Sequence, residues 1–162
     1  ELFFDQFEKQ NKQSVFLEWL NTVNRKKYTW QETYQNILKL TQVLKKYVKE
    51  GDRVLLVSEN RPEWMISDIA IMLSNAITVP AYTTYTENDY RYLIEDCEPV
   101  VLIVSNNNMH KKLANIINEK NFIKAIVTFD TVPGVSYQNK KYVDFSAITK
   151  SALNEENNKK KN

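Results

Sequence analysis

The segment from residue 51 to residue 82 constrains the fold more than any other part of the chain. It opens with a continuous apolar run at residues 54–57, continues through about a dozen residues with apolar side chains at helical spacing, and ends in a short apolar run at residues 77–79. A continuous rather than alternating apolar run is typical of a strand covered on both faces. Strands joined by a helix imply right-handed crossovers and a parallel sheet. The sequence therefore predicts an α/β fold, a mostly parallel sheet with flanking helices.

Further signals for helices and strands lie before and after this segment. Apolar runs at residues 100–105 and 123–129 predict two further buried strands, and a helix over residues 109–119 separates them. Two Thr-x-x-acid capping boxes predict helix starts: Thr29 with Glu32 opens a helix to about residue 49, and Thr86 with Asp89 opens one that ends before Pro99. The run 54–57 should then be central in the sheet.

The two ends of the chain carry weaker signals. Residues 2–10 predict a short helix, residues 15–19 an extended segment, and residues 142–145 an edge strand. The last residues, 151–162, are polar and predict a disordered tail or linker, so we expect one domain over residues 1–150. Asn60 is expected to cap the helix that follows the first buried strand.

Composition excludes several classes of function. The net charge of +2 is small and spread along the sequence, which disfavours nucleic-acid binding. No apolar run reaches the roughly 20 residues that a membrane-spanning helix needs, and the N-terminus carries no basic signal region. Cys97 is the single cysteine, so no internal disulfide or Cys-based metal spacing exists, and a reducing cytoplasmic setting is expected.

The chemistry of an independent enzyme is hard to find in this chain. Gly51 and Gly134 are its only glycines, so neither a Walker phosphate loop nor a Gly-x-Gly-x-x-Gly turn can form. The spacing of Ser, His and Asp residues gives no catalytic triad, and no metal site is expected.

In an open parallel sheet, ligands bind beyond the carboxyl ends of the strands, where loops 58–62, 80–86, 104–109 and 128–132 should gather. The run from Tyr82 to Thr86 offers aromatic faces and hydroxyls that could hold a nucleotide; alternatively the tyrosines belong to the core and Thr86 is a helix cap. His110 and the two lysines after it could meet phosphate, or simply form a solvated face.

Several blocks, in order, resemble the adenylate-forming (AMP-binding) superfamily, and its long-chain fatty acyl-CoA synthetase branch in particular. They are Lys-Tyr-Thr-Trp-Gln-Glu at 27–32, Gly-Asp-Arg-Val at 51–54, Asn-Arg-Pro-Glu-Trp at 60–64, and Ala-Ile-Thr-Val-Pro-Ala-Tyr-Thr-Thr at 76–84. Asn75 stands where the family typically has glycine, and asparagine tolerates the same left-handed backbone.

The resemblance implies that residues 1–150 are the N-terminal portion of the large domain of a long-chain fatty acid–CoA ligase. Such an enzyme uses ATP, Mg²⁺ and coenzyme A: it forms an acyl-adenylate and passes the acyl group to coenzyme A. The family's phosphate loop and catalytic lysine do not occur in residues 1–162, so the chain alone is expected to be inactive and to bind none of these groups tightly.

The resemblance also implies particular contacts and partners. Tyr82, Thr83 and Thr84, with the region of His110, match positions that contact the coenzyme A nucleotide in relatives that make acetyl-CoA. A cytoplasmic enzyme with peripheral membrane association and a homodimeric assembly would be consistent with it. Two alternatives stay open: a freestanding α/β nucleotide-binding or interaction module without ligase activity, and a ligase for medium-chain, aryl or luciferin-like acids.

Overall fold

The computed structural model describes residues 2–20 and 25–149; the predicted tail at 151–162 lies outside the described residues. The chain begins with helix α1 (Leu2–Lys9) and the strands β1 (Val15–Leu20) and β2 (Arg25–Thr29), which pair antiparallel. The N-terminal part of the fold is therefore a helix and a hairpin, and the hairpin forms a two-stranded sheet separate from the main sheet. α1 packs on the hairpin through Phe3 and Phe16, and on the next helix through Phe3 and Trp30.

The main sheet contains, within the described residues, five strands that are all parallel. The strands are β3 (Arg53–Val57), β4 (Ile77–Ala81), β5 (Val101–Val104), β6 (Ala125–Thr128) and β7 (Lys141–Asp144), arranged in the order β4-β3-β5-β6-β7. This arrangement confirms the predicted α/β class with a mostly parallel sheet. The order of strands reverses between β3 and β5, because the chain moves outward from β3 to β4 and then returns across β3 to β5.

Helices cover both faces of this sheet. They are α2 (Trp30–Leu44), α3 (Pro62–Leu73), α4 (Glu87–Cys97) and α5 (Asn107–Glu119). Val54 and Leu56 pack with α2 and α3 in one apolar cluster, whereas Leu55 and Val57 pack with α4 and α5 in the other. Successive side chains of a strand point to opposite faces, so a strand buried on both sides is apolar throughout, as residues 54–57 are.

Local sequence signals set several of the turns. Both predicted capping boxes are present, at Thr29 with Glu32 and at Thr86 with Asp89. Asn75 adopts the left-handed conformation at φ 58°, as expected for the residue that replaces the usual glycine, and its carbonyl accepts a hydrogen bond from the N–H of Gly51 at 2.9 Å. Gly51 is itself left-handed at φ 79°.

Three predicted details are wrong. α2 ends at Leu44 rather than near residue 49, because the chain continues in a tighter turn in which Lys46 and Tyr47 donate to carbonyls three residues back. The run at residues 54–57 was predicted to be central in the sheet. It forms β3, which has a neighbour on each side, but the middle strand of the five is β5. Arg61, not Asn60, is the residue that precedes α3, and its side chain is drawn into an ion-pair network instead of capping the helix.

The strand predicted at residues 77–79 extends through Pro80 to Ala81. Proline lacks the N–H that a ladder needs, but β4 lies at the edge of the described sheet and pairs only with β3. Pro80 therefore marks an edge strand rather than the end of a strand. No described helix is both long and apolar enough to cross a lipid bilayer.

Candidate functional site

The loops that follow β3, β4, β5 and β6 meet at the carboxyl edge of the sheet, as expected for parallel strands. In folds of this kind a ligand commonly enters where the strand order reverses, here between β3 and β5. An ion pair between two loops of the protein closes that crevice. Arg61, after β3, donates from Nη2 to the Asp130 carboxylate, after β6, at 3.0 Å, so an ion pair passes over the end of β5.

A buried network of charges surrounds this ion pair. The Glu63 carboxylate is fully buried and accepts hydrogen bonds from Lys26 Nζ at 2.5 Å, Tyr28 Oη at 2.9 Å and Arg61 Nε at 2.9 Å. The Arg61 guanidinium, 2% exposed, also lies over the ring of Trp19 at 4.4 Å. The network therefore ties the β1–β2 hairpin to the first turn of α3 and to the loop after β6.

Electrostatics within the network strongly favour the ionised carboxylate. Burial alone would raise the pKa of Glu63, but hydrogen bonds and charge from Arg61 and Lys26 outweigh it and lower the pKa to about 2. Burial and the neighbouring Glu63 charge raise the pKa of Tyr28, so the phenol stays a proton donor to the carboxylate. A charge-assisted cluster of this kind fixes the loop at residues 58–61 in one position.

Sequence reasoning missed this network. The partners of Glu63, Lys26 and Tyr28, are 37 and 35 residues away from it in the chain. No local spacing pattern connects residues so far apart. The one available signal was two oppositely charged residues, Arg61 and Glu63, on either side of a proline that begins a helix.

An open cleft lies beside the closed crevice, between the loops that follow β3 and β4. Its volume is about 470 Å³, and the lining is mostly apolar with a few polar groups. The lining residues are Ser58, Glu59, Asn60, Trp64, Pro80, Ala81, Tyr82 and Thr83. Size and lining are both typical of a small-molecule site, which makes this cleft the candidate ligand-binding site.

Tyr82 and Thr83, two of the predicted site residues, line this cleft together. Tyr82 is 72% exposed, so the interpretation of Tyr82 as a core residue is wrong, whereas Tyr85 is half-buried and packs against Tyr90. The Tyr90 hydroxyl of α4 donates to the Tyr82 carbonyl at 2.6 Å and so anchors the loop to that helix. Thr84 is exposed on the same loop but does not line the cleft.

The loop that carries Tyr82 is also held from α5. Lys112 Nζ donates to the Thr83 carbonyl at 3.1 Å, which brings a cation to the border of the cleft. Thr86 acts as a helix cap, as the structural interpretation of this residue predicted.

His110 does not belong to a solvated face. Its ring is 7% exposed, and Nε2 is hydrogen-bonded to the hydroxyl of Tyr137, so that interpretation is wrong for His110 although Lys111 and Lys112 are exposed. Burial lowers the pKa of His110, which keeps the imidazole neutral at physiological pH. The structure thus brings Tyr82 and Thr83 to one cleft, whereas His110 is buried against Tyr137 and does not line the cleft.

The residues present do not fit a magnesium site. Within residues 2–20 and 25–149, no group of three or more His, Cys, Asp or Glu side chains is placed to hold a metal ion. Glu59, the carboxylate among the lining residues of the cleft, lies 3.6 Å from Arg61 Nη1, and Asp130 pairs with the same guanidinium. Any Mg²⁺ that accompanies ATP would need ligands from outside these residues.

A parallel sheet with helices on both faces defines an α/β domain, and the cleft at its carboxyl edge is its candidate ligand site. A family model described as "AMP-binding enzyme" matches residues 3–160, nearly the whole chain. The chain therefore belongs to the AMP-binding enzyme family.

Named relatives and one solved structure are similar to parts of this chain. Fatty acyl-CoA synthetase A of Dictyostelium discoideum is 35% identical over 86 residues, 53% of this chain and 12% of that protein. A long-chain-fatty-acid–CoA ligase of Mycobacterium tuberculosis is 38% identical over 69 residues, 43% of this chain and 12% of the ligase. The chain thus spans well under a fifth of the length of these relatives.

The crystal structure of an anthranilate CoA ligase in complex with anthranoyl-AMP matches this fold with a TM-score of 0.68. The match covers 78% of this chain and 23% of that one, at 23% sequence identity. At this identity the likeness supports the fold alone.

Proposed function

We propose that this chain is the N-terminal segment of a long-chain fatty acid–CoA ligase. The observation that carries the proposal is the family match along residues 3–160. Relatives named fatty acyl-CoA synthetase in Dictyostelium and long-chain-fatty-acid–CoA ligase in Mycobacterium support it. Because the chain spans only a small part of those proteins, the activity belongs to the complete protein. If the chain is instead a freestanding module, the natural protein that contains it should have no ligase activity.

The reaction proposed for the complete protein has two steps. The carboxylate of a fatty acid attacks the α-phosphorus of ATP, which gives an acyl-adenylate and releases pyrophosphate. The thiolate of coenzyme A then attacks the acyl carbon and displaces AMP. Among the described residues none is placed to act as a nucleophile or to hold the phosphates, so this part of the protein serves as the scaffold of the site.

The cleft gives this segment a more specific role as one wall of the entrance for coenzyme A. Tyr82 offers an exposed ring for stacking on adenine, and the hydroxyls of Thr83 and Thr84 lie on the same loop. His110 follows Met109, whose Sδ lies 4.0 Å from the Tyr90 hydroxyl that holds the Tyr82 loop. A neutral, buried imidazole that is hydrogen-bonded to Tyr137 has a structural role and does not neutralise a phosphate. Coenzyme A and ATP also suit a cytoplasmic protein, where Cys97 stays a free thiol.

Steady-state kinetics of the complete natural protein test this role. Tyr82→Ala should raise the KM for coenzyme A several-fold and leave the KM for ATP nearly unchanged, because stacking on a base is worth about 1–3 kcal/mol. Tyr92→Ala is a matched control, since Tyr92 on α4 is 74% exposed and lies outside the cleft. An unchanged KM for coenzyme A in Tyr82→Ala would remove the entrance-wall role, and equal effects of the two variants would do the same.

The intact mass of the natural product separates the ligase from the freestanding module. A mass several times the 19.1 kDa of this chain is expected for a ligase. A mass near that of the chain itself, with a stable folded monomer, would favour the module and direct effort to ligand and partner screening.

A further inference from the structure

The hydroxyl of Tyr90 is a buried polar group that neither step of the proposed reaction uses. The side chain lies one turn into α4 and is fully buried, in the apolar cluster that includes Ile94 and Leu113. Its hydroxyl donates to the carbonyl of Tyr82, eight residues earlier in the chain, at 2.6 Å. Burial raises the pKa of Tyr90 to about 12, so the phenol keeps the proton that this hydrogen bond needs. Because the contact is internal to the fold, additional chain in a longer protein leaves it in place.

This hydrogen bond fixes the backbone of the cleft loop at its first residue. β4 ends at Ala81, so Tyr82 is the point at which the chain leaves the sheet. The Tyr82 carbonyl also accepts a hydrogen bond from the N–H of Tyr85 at 3.3 Å, which closes a four-residue turn. A carbonyl oxygen has two lone pairs, and here both have a donor. The peptide unit that follows Tyr82 therefore has little freedom to rotate.

Aromatic packing extends this support to the side chain of Tyr82. The rings of Tyr90 and Tyr85 meet edge to face with their centroids 5.7 Å apart, and the rings of Tyr85 and Tyr82 do the same at 5.6 Å. Edge-to-face pairs of this kind are attractive. Exposure rises along the series, from 0% at Tyr90 through the half-buried Tyr85 to 72% at Tyr82. Tyr90 is therefore the buried end of a series of three rings, and the exposed end lines the cleft.

The helix that carries Tyr90 is itself held in place. An ion pair between Arg91 and Glu119 ties α4 to α5. From α5, Lys112 Nζ donates to the carbonyls of Thr83 at 3.1 Å and Tyr85 at 3.4 Å. The cleft loop is thus bound through its carbonyls to two helices that are also bound to each other.

We propose that Tyr90 is a positioning residue for coenzyme A, which holds the Tyr82 ring in the orientation that stacks on the adenine. This inference rests on the proposed role of the cleft as a wall of the coenzyme A entrance, and it names the residue that prepares that wall. A ring held in place before binding avoids the entropy that ordering a free loop would cost. Phenylalanine at position 90 would keep the packing of the rings, so the hydroxyl is the only group that this substitution removes.

Steady-state kinetics of the complete natural protein test the proposal. Tyr90→Phe should raise the KM for coenzyme A about threefold to tenfold, the range expected for one lost hydrogen bond, and leave kcat and the KM for ATP nearly unchanged. A general loss of structure would instead lower kcat and raise the KM for ATP as well. Tyr142→Phe is the matched control, because its hydroxyl bonds to Thr128 and to the N–H of Val132, away from the cleft loop. It should leave both KM values nearly unchanged.

The double variant Tyr82→Ala/Tyr90→Phe separates this inference from the proposed function. Once the ring at position 82 is gone, Tyr90 has no ring to position, so the KM for coenzyme A should lie within about 1.5-fold of that of Tyr82→Ala alone. A further increase in the double variant as large as that of Tyr90→Phe in wild type would overturn the proposal. An unchanged KM in Tyr90→Phe beside a raised KM in Tyr82→Ala would overturn the positioning role alone. No increase in Tyr82→Ala would remove the entrance role and the positioning role with it.

Hydrogen exchange of the complete protein gives a second readout besides activity. Peptides that cover residues 82–86 should exchange faster in Tyr90→Phe than in wild type, because the Tyr85 N–H donates to the carbonyl that loses its second donor. Peptides from β3 should exchange at the wild-type rate in the same variant, which shows that the fold is intact. Equal exchange of residues 82–86 in the two proteins would contradict the fixing of the loop by Tyr90.

Discussion

Replacing Glu63 by glutamine should cost more stability than any conservative change at an exposed glutamate. The substitution keeps the shape of the side chain but removes its charge. Arg61 and Lys26 then lose the counter-ion that they share, and the site of that counter-ion is fully buried. The new amide also turns one acceptor of the site into a donor. Breaking a buried pair from one side typically costs about 3–5 kcal/mol.

The pKa of Glu63 gives an independent measure of the same contribution. An ordinary glutamate has a pKa near 4.5, and the folded protein lowers it to about 2. That difference corresponds to about 3 kcal/mol of stability at neutral pH. Since domains of this size are stable by about 5–15 kcal/mol, Glu63→Gln should remove a large fraction of the free energy of unfolding.

The pH dependence has a definite sign. A carboxylate with a lowered folded-state pKa stabilises the protein above its unfolded pKa, and the contribution is lost as the pH falls from about 4.5 toward about 2. The free-energy gap between wild type and Glu63→Gln should therefore shrink to about half by pH 3. Urea unfolding followed by circular dichroism at pH 7 and at about pH 3 measures both values.

Glu50→Gln provides the control, because Glu50 is exposed and forms no ion pair within the described residues. It should change the free energy of unfolding by less than about 0.5 kcal/mol. A Glu63→Gln variant as stable as Glu50→Gln at pH 7 would refute the account of the network. A gap that stays constant down to pH 3 would refute the assignment of the gap to the ionised carboxylate.

Three further predictions concern stability. Asn75→Gly should be nearly neutral and Asn75→Val should cost about 1–2 kcal/mol, since Asn75 is left-handed at φ 58°; equal urea midpoints would contradict this. Thr86→Ala should cost about 1 kcal/mol through loss of the capping box, whereas Thr84→Ala on the same loop should cost little, and the reverse order would count against the cap. Because burial lowers the pKa of His110, wild type should lose stability relative to His110→Gln as the pH falls below the ordinary histidine pKa of about 6.5, and a constant difference would speak against a neutral His110.

The parts of the fold that sequence predicted are those set by short-range chemistry. The residues of a capping box lie within one helical turn, so Thr29 and Thr86 identified their helices directly. The strands β3 and β5 could be predicted because a strand that is buried on both faces has a continuous apolar sequence. Asn75 could be assigned a left-handed backbone because few residues other than glycine tolerate one.

The parts that sequence could not predict depend on contacts between distant segments. Glu63 looks like an ordinary helix-start glutamate until the hairpin brings Lys26 and Tyr28 to it. His110 lies in a polar stretch of sequence, yet the loop that carries Tyr137 covers it. Pro80 suggested the end of a strand because only the sheet order reveals that β4 is at an edge.

The candidate cleft was predictable in part. The rule that ligands bind beyond the carboxyl ends of parallel strands placed it at the correct edge, and Tyr82 and Thr83 were identified from their residue types. Glu59 and Asn60 belong to loop 58–62, which was expected at this edge, whereas Trp64 was missed as a lining residue. Nothing in the sequence indicated that the Arg61–Asp130 ion pair would close the reversal point and leave the open cleft between β3 and β4.

Formation of acyl-CoA by the complete natural protein that contains this sequence tests the central claim most directly. With a long-chain fatty acid, ATP and coenzyme A, the account predicts acyl-CoA together with equal amounts of AMP and pyrophosphate, and no product when any one substrate is omitted. A folded, complete protein that releases no AMP with any fatty acid would contradict it.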